Sequence, residues 1–143
     1  MDIVGKVELN DSSQCVFYVE EFKGKRFGSI RKFVESEAYS GPTKSGVVLS
    51  TDGIDELVVL LSGLLKQTGK MEDKEVGRVQ VQDGKFIAVN ITTYKEEQGL
   101  DIREYVDTED YSGPTKKGVR LPVEAIKDSV GYLKTMKEKL VKA

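Results

Sequence analysis

Tyr39-Ser40-Gly41-Pro42-Thr43-Lys44 recurs 72 positions later as Tyr111-Ser112-Gly113-Pro114-Thr115-Lys116. Each copy continues through one residue into Gly-Val, at Gly46-Val47 and Gly118-Val119, and then reaches Leu49 or Leu121. An identity of this length marks an internal repeat. The same offset aligns the two halves without a gap. Val4-Gly5-Lys6-Val7 falls on Val76-Gly77-Arg78-Val79, and Ile30-Arg31 falls on Ile102-Arg103. Ile54, Val58 and Leu61 fall on Ile126, Val130 and Leu133, and about a third of all positions are identical. Two copies, rather than a longer array, predict an internal pseudo-dimer with a two-fold relation between its halves.

Outward from the repeat, each half reads as four strands and a helix. Residues 2–9 are β-permissive, and residues 15–22 are β-branched and aromatic. Alternation puts Cys15, Phe17 and Val19, with Ile87, Val89 and Ile91, on a core face. The opposite face carries Val16, Tyr18, Glu20 and Phe22, with Ala88, Asn90, Thr92 and Tyr94, and is expected to be wet. Lys23-Gly24-Lys25 predicts a hairpin turn, replaced by Lys95-Glu96-Glu97-Gln98-Gly99 in the second copy. The third strand covers about 26–34 and 98–106, with Arg31 and Phe33, or Arg103 and Tyr105, on the open face. Residues 35–43 read as an acidic loop whose Gly-Pro turns the chain into a fourth strand at about 44–50 and 116–121.

The helix comes last in each half. Ile54, Leu57, Val58, Leu61, Leu64 and Leu65 fall at helical spacing. Val59 and Leu60 add a second apolar flank, which implies burial against more than the parent sheet. Ile126, Val130, Leu133, Met136 and Leu140 form the second stripe, with Pro122 near its first turn. The expected division is a first repeat over 1–67, a polar linker over 68–75 and a second repeat over 76–143.

Composition excludes several function classes. There is no histidine among the 143 residues, which removes His-based acid–base catalysis and His metal ligation. The single cysteine, Cys15, cannot form an internal disulfide, and its core-face position predicts a buried, inert thiol. No Walker loop, dinucleotide fingerprint or calcium loop is present. Most carboxylates, such as Glu35, Glu37, Asp107, Glu109 and Asp110, fall in loops and read as solvated. No catalytic set, metal site or cofactor is therefore assigned, and the chain is not expected to be an enzyme. No apolar run approaches the ~20 residues that span a bilayer, and Met1-Asp2-Ile3-Val4 lacks a signal-peptide pattern. An intracellular protein, cytoplasmic or in the nucleoid or nucleus, is expected. The net charge of −2 gives no global basic signature, but charge can still be segregated by face.

What remains is basic residues with aromatics on an open sheet face. Single-stranded nucleic acid needs this combination, because cations track the phosphates and rings stack on bases. The competing reading makes Phe22, Phe33, Tyr94 and Tyr105 core or interface residues and leaves the Lys and Arg side chains only to solubilise. Tyr39 and Tyr111 stand between packing their loop and stacking on a base.

At Phe22-Lys23-Gly24-Lys25, Ile30-Arg31-Lys32-Phe33 and the Pro-Thr-Lys-x-Gly-Val-x-Leu strand, the sequence resembles the positive cofactor four family of single-stranded DNA-binding transcriptional coactivators. Asp101-Ile102-Arg103-Glu104-Tyr105 and Pro114-Thr115-Lys116-Lys117-Gly118-Val119 resemble it still more closely. The resemblance spans about 14–65 and 86–137. The chain is similar, more loosely, to tandem Pur repeats. The resemblance implies an α+β fold in which two β-β-β-β-α repeats form an intramolecular pseudo-dimer, with curved antiparallel sheets and helices packed together. It implies phosphate contacts at Lys23, Lys25, Arg31 and Lys44, and at Lys95, Arg103, Lys116 and Lys117. Phe22 and Tyr94 match the family's aromatic after the second strand. Lys25 becomes Glu97 in the second copy, and Ser45 stands where the second copy has Lys117. A base-stacking Trp of the family falls on Val34 and Val106.

The expected function is sequence-tolerant binding of single-stranded DNA by a transcription cofactor or strand-protecting protein, with Phe22, Phe33, Tyr94 and Tyr105 stacking on bases. The alternatives are an RNA-binding regulator, or an adaptor to RNA polymerase or transcription factors. No membrane partner is expected, and further self-association of the pseudo-dimer is compatible with this reading.

Overall fold

The computed structural model describes residues 1–67 and 71–142. The first half contains β1 (Asp2–Asn10), β2 (Ser13–Phe22), β3 (Lys25–Glu35), β4 (Ser40–Leu49) and α1 (Thr51–Leu64). The second contains β5 (Lys74–Gln82), β6 (Lys85–Tyr94), β7 (Glu97–Asp107), β8 (Ser112–Pro122), a 3-10 turn (Val123–Ala125) and α2 (Ile126–Val141). Each set of four strands forms an antiparallel meander in sequence order. The register agrees at the offset of 72: Phe17 pairs with Ile30 as Val89 pairs with Ile102, and Arg31 pairs with Gly46 as Arg103 pairs with Gly118. Register shifts at Ile3/Gly5, Glu8/Asn10 and Arg31/Phe33 recur in the second sheet, and such bulges bend and twist the strands that carry them. The chain is an α+β pseudo-dimer of two β-β-β-β-α repeats with curved sheets. Of the expected linker, residues 68–70 lie outside the described residues, and β5 begins at Lys74.

The helices are exchanged. α2 packs under β1, β2 and β3 of the first sheet, while α1 reaches β5 of the second. Glycines mark the crossing points. A Cβ on Gly5 would collide with the Tyr132 ring, and one on Gly77 would collide with Leu60. Gly5 and Gly77 are equivalent at the offset, as are Leu60 and Tyr132. Each glycine is thus the seat for a helix side chain from the other repeat, which explains why Val-Gly-x-Val is retained. Tyr132 also packs against Phe17 at 5.3 Å between ring centroids. The helices contact each other directly, with Lys137 Nζ donating to Asp55 Oδ1 at 2.6 Å. The second flank of α1 divides accordingly: Leu60 is partly buried on Gly77, and Val59 is 70% exposed.

One core runs through both halves, from Cys15, Phe17 and Ile30 through Ile54, Leu57 and Leu61 to Ile102, Leu133 and Met136. Cys15 lies within it, and burial pushes its thiol pKa up to about 12, so the group stays protonated and inert.

Three sequence expectations change in detail. All of the hexapeptide after its tyrosine, Ser40 to Lys44 and Ser112 to Lys116, lies inside β4 and β8 and not in a loop ahead of them. The reversal is the tight turn Ser36–Tyr39, where Ser36 N donates to the Tyr39 carbonyl at 2.9 Å and Ser36 Oγ accepts from Tyr39 N at 3.1 Å. Pro42 is tolerated there because β4 is an edge strand with a bulge. The second hairpin turn is only Lys95-Glu96, the same length as Lys23-Gly24, because β7 already begins at Glu97. Finally, the face opposite the helices is not wet along β2. Val16 and Tyr18 are buried there, and Ala88 is buried on β6. In the first sheet β3 supplies part of the cover: Phe33 and the Arg31 guanidinium both lie against Tyr18.

Candidate nucleic-acid interface

The hairpin between β2 and β3 turns on Lys23 (φ +52°) and Gly24 (φ +79°), both left-handed as a two-residue turn of this kind requires. Phe22 and Lys25 close it as register partners. The Phe22 ring is 64% exposed, and Lys23 Nζ lies 5.4 Å from its centroid. In the second repeat Tyr94 is also 64% exposed, with Lys95 Nζ at 5.5 Å. A cation over an exposed ring contributes about 0.5–1 kcal/mol. Lys95 (φ +49°) and Glu96 (φ +68°) repeat the turn without glycine. Left-handed backbone costs a non-glycine residue about 1 kcal/mol or more. Glu96→Gly is therefore expected to stabilise the protein by about 1 kcal/mol, visible as a rise of about 3–4 °C in the thermal midpoint.

Arg31, Phe33 and Lys44, and Arg103, Tyr105 and Lys116 in the second repeat, lie toward the opposite end of β3 and β4 or of β7 and β8, whereas Lys117 lines a groove together with Lys25. Arg31 pairs with Val16 across the sheet, so it shares the open face with Phe22. It donates from Nε to Tyr18 Oη at 3.2 Å and from Nη1 to the Thr43 carbonyl at 3.0 Å. The hexapeptide builds that acceptor. Thr43 Oγ1 donates to the Lys32 carbonyl at 2.8 Å and accepts from Ser45 N at 3.1 Å, pinning the bulge that lets the Thr43 carbonyl meet the guanidinium. Tyr39 donates its hydroxyl to the Pro42 carbonyl at 2.6 Å, and its ring lies over Gly41, whose φ of +141° excludes most side chains. Tyr111, Pro114 and Gly113 repeat this arrangement. Both tyrosines therefore pack their own loop. Lys44 and Lys116 are exposed at the bulges.

The two arginines differ in one respect. Arg103 also donates to a threonine carbonyl, Thr115 at 3.0 Å. Its other bonds go to Asp101, from Nε at 3.2 Å and Nη2 at 3.1 Å. Asp101 stands where the first repeat has Ser29. The charge of Arg103 is thus compensated within its own strand, whereas Arg31 bonds neutral acceptors.

Residues 81–128 match the transcriptional coactivator p15 (PC4) family. The match runs from the end of β5 to the first turn of α2, about a third of the chain. No curated protein matches the chain at a significant level. The PC4 span takes in Tyr94, Lys95, Arg103, Tyr105, Lys116 and Lys117 of the second repeat, and Thr115, which holds Arg103. Phe22, Lys23, Lys25, Arg31, Phe33 and Lys44 lie in the first repeat, outside the PC4 span.

Along β3, Lys25 and Arg31 are six residues apart, about 20 Å at ~3.3 Å per residue. Each repeat therefore presents two clusters, not one. Phe33 and Tyr105 are half-buried: Phe33 meets Tyr18 edge-on at 5.7 Å, and Tyr105 stacks on Phe86 at 5.4 Å with 23° between planes. Arg78 lies over the outer face of that pair, 4.6 Å from the Phe86 centroid. Sequence reading missed Phe86 and Arg78. Their counterparts, Gln14 and Lys6, do not repeat the pattern, although cross-strand alternation would have placed both on the open face. Among the described residues no group of three or more His, Cys, Asp or Glu side chains is placed to hold a metal ion, and no helix is long and apolar enough to cross a membrane.

Proposed function

We propose that the protein binds single-stranded nucleic acid, single-stranded DNA in the first instance, on the sheet faces opposite its helices. It acts there as a transcription cofactor or strand-protecting protein and not as a catalyst. The observation that carries this reading is the exposed aromatic with a lysine over its ring, at the same hairpin tip in both repeats, on the face where an arginine is held by the hexapeptide carbonyl. Solvent-exposed rings beside cations suit bases and phosphates respectively, and stacking contributes about 1–3 kcal/mol per base. The match of the second repeat to the p15 (PC4) coactivator family supports the same reading. The equal register of the two sheets supports extending it to the first repeat and to a tandem origin of the chain.

Fluorescence anisotropy with labelled DNA and RNA oligonucleotides, single-stranded and duplex, over a salt series tests the proposal. Single strands are expected to bind more tightly than duplex, with log K falling by about 0.7 per decade of salt for each phosphate contacted. Equal affinity for duplex, or no salt dependence, sinks it. A clear preference for RNA over DNA of the same sequence reassigns the ligand to RNA.

A further inference from the structure

Two grooves of nearly equal size lie where the repeats meet, about 540 Å³ and 510 Å³. The internal two-fold relates them: Leu49 of the first is Leu121 of the second, and Val81 of the first is Leu9 of the second, at the same offset. Their linings have diverged in charge. The first is lined by Lys25, Arg26, Lys85 and Lys117 against one carboxylate, Glu104. The second has Glu97 for Lys25, Gln98 for Arg26 and Ser13 for Lys85. Glu96 and Glu124 add to its acid, with Lys32 and Arg120 as its cations.

The approaches to the grooves differ as well. In the first repeat Arg31, Ser29 and Phe27 alternate along the open face of β3, and Phe27 with the exposed Val48 forms the lip of the basic groove. In the second repeat Arg120 replaces Val48 and lies over Gly99, which replaces Phe27. Its guanidinium is spent on the Thr92 hydroxyl and carbonyl and the Glu97 carbonyl, at 3.0 to 3.2 Å. Lys25 and Lys117 form no side-chain hydrogen bond or ion pair among the described residues.

We infer that the chain holds one nucleic-acid strand, not two: the strand runs from Arg31 over Phe27 into the groove of Lys25 and Lys117, and the acidic counterpart groove accepts none. The inference rests on the nucleic-acid reading above. It adds that the site is composite, since Lys25 comes from the first repeat and Lys117 from the second. Like charge in the counterpart groove repels a phosphate backbone, so symmetry of fold does not give symmetry of binding.

The test is a stoichiometric titration with a labelled thymidine oligonucleotide of about a dozen nucleotides, a length typical of single-strand-binding grooves in other folds. One strand per chain is expected. Lys25→Glu with Lys117→Ser should lower affinity about tenfold or more and reduce the salt slope by about 1.4, the share of two phosphate contacts. Lys32→Glu, in the counterpart groove, should leave affinity within about threefold of wild type, having no phosphate contact to lose. Two equivalent strands per wild-type chain overturn the inference while leaving the nucleic-acid reading intact. So do equal losses from the Lys25/Lys117 and Lys32 variants. A wild-type chain that binds no strand at low salt removes both.

Discussion

Arg31→Ala is expected to weaken single-strand binding by about 2 kcal/mol, roughly thirtyfold, the size of a charge-assisted hydrogen bond to phosphate. Arg103→Ala is expected to cost much less. Both guanidiniums sit on the open face and both are held by a threonine carbonyl of the hexapeptide. Only Arg103 is also engaged by a carboxylate, Asp101, which must be displaced or tolerated before a phosphate can approach. Anisotropy titrations of the two variants at one salt concentration decide the matter. Equal losses would show that the Asp101 contact does not matter. Asp101→Ser, which copies Ser29, is the complementary test and should raise the contribution of the second face.

The largest expected effect on stability is at Gly5. Gly5→Leu drives a side chain into the space of the Tyr132 ring and should cost about 3 kcal/mol, the upper end of ordinary overpacking. For a chain of this length that lowers the thermal midpoint by about 10 °C. Tyr132→Ala in the same chain should recover part of the loss, because the two residues share one volume and their effects are coupled. Independent, additive losses in thermal melts would contradict the packing described. Gly77→Leu against Leu60 is the matching experiment on the other side of the pseudo-two-fold.

Much of this fold could be read from the chain. The offset fixed by the hexapeptide matches Val16 to Ala88 and Arg31 to Arg103, and the ladders pair each two alike. Period-two alternation identified Cys15, Phe17 and Val19 as core. The helix exchange was legible only as excess apolar surface on α1, because periodicity reports that a face is buried and not what buries it. Val16 and Tyr18 were misjudged for a related reason. Their face is open to solvent in principle, but long side chains from the neighbouring strand fold over it. Lys25 and Lys117 were each marked in the sequence, but nothing there showed that they share a groove, since they are far apart in the chain and meet only through the pseudo-two-fold. The role of the hexapeptide also changed. Most of it is an edge strand with a pinned bulge, and its Thr43 and Thr115 carbonyls orient the arginines that the family resemblance had marked as phosphate contacts.

The exchanged helices also set an order of events during synthesis. The first sheet emerges from the ribosome early, but α2, which covers β1 to β3, begins only at Ile126. Until then Phe17 and Ile30 have no helix from the second repeat over them. Contacts spanning this much chain are slow to form, and an uncovered apolar sheet is exposed to aggregation while it waits. A nascent chain stalled before Ile126 should therefore be the species most prone to self-association or to capture by a chaperone.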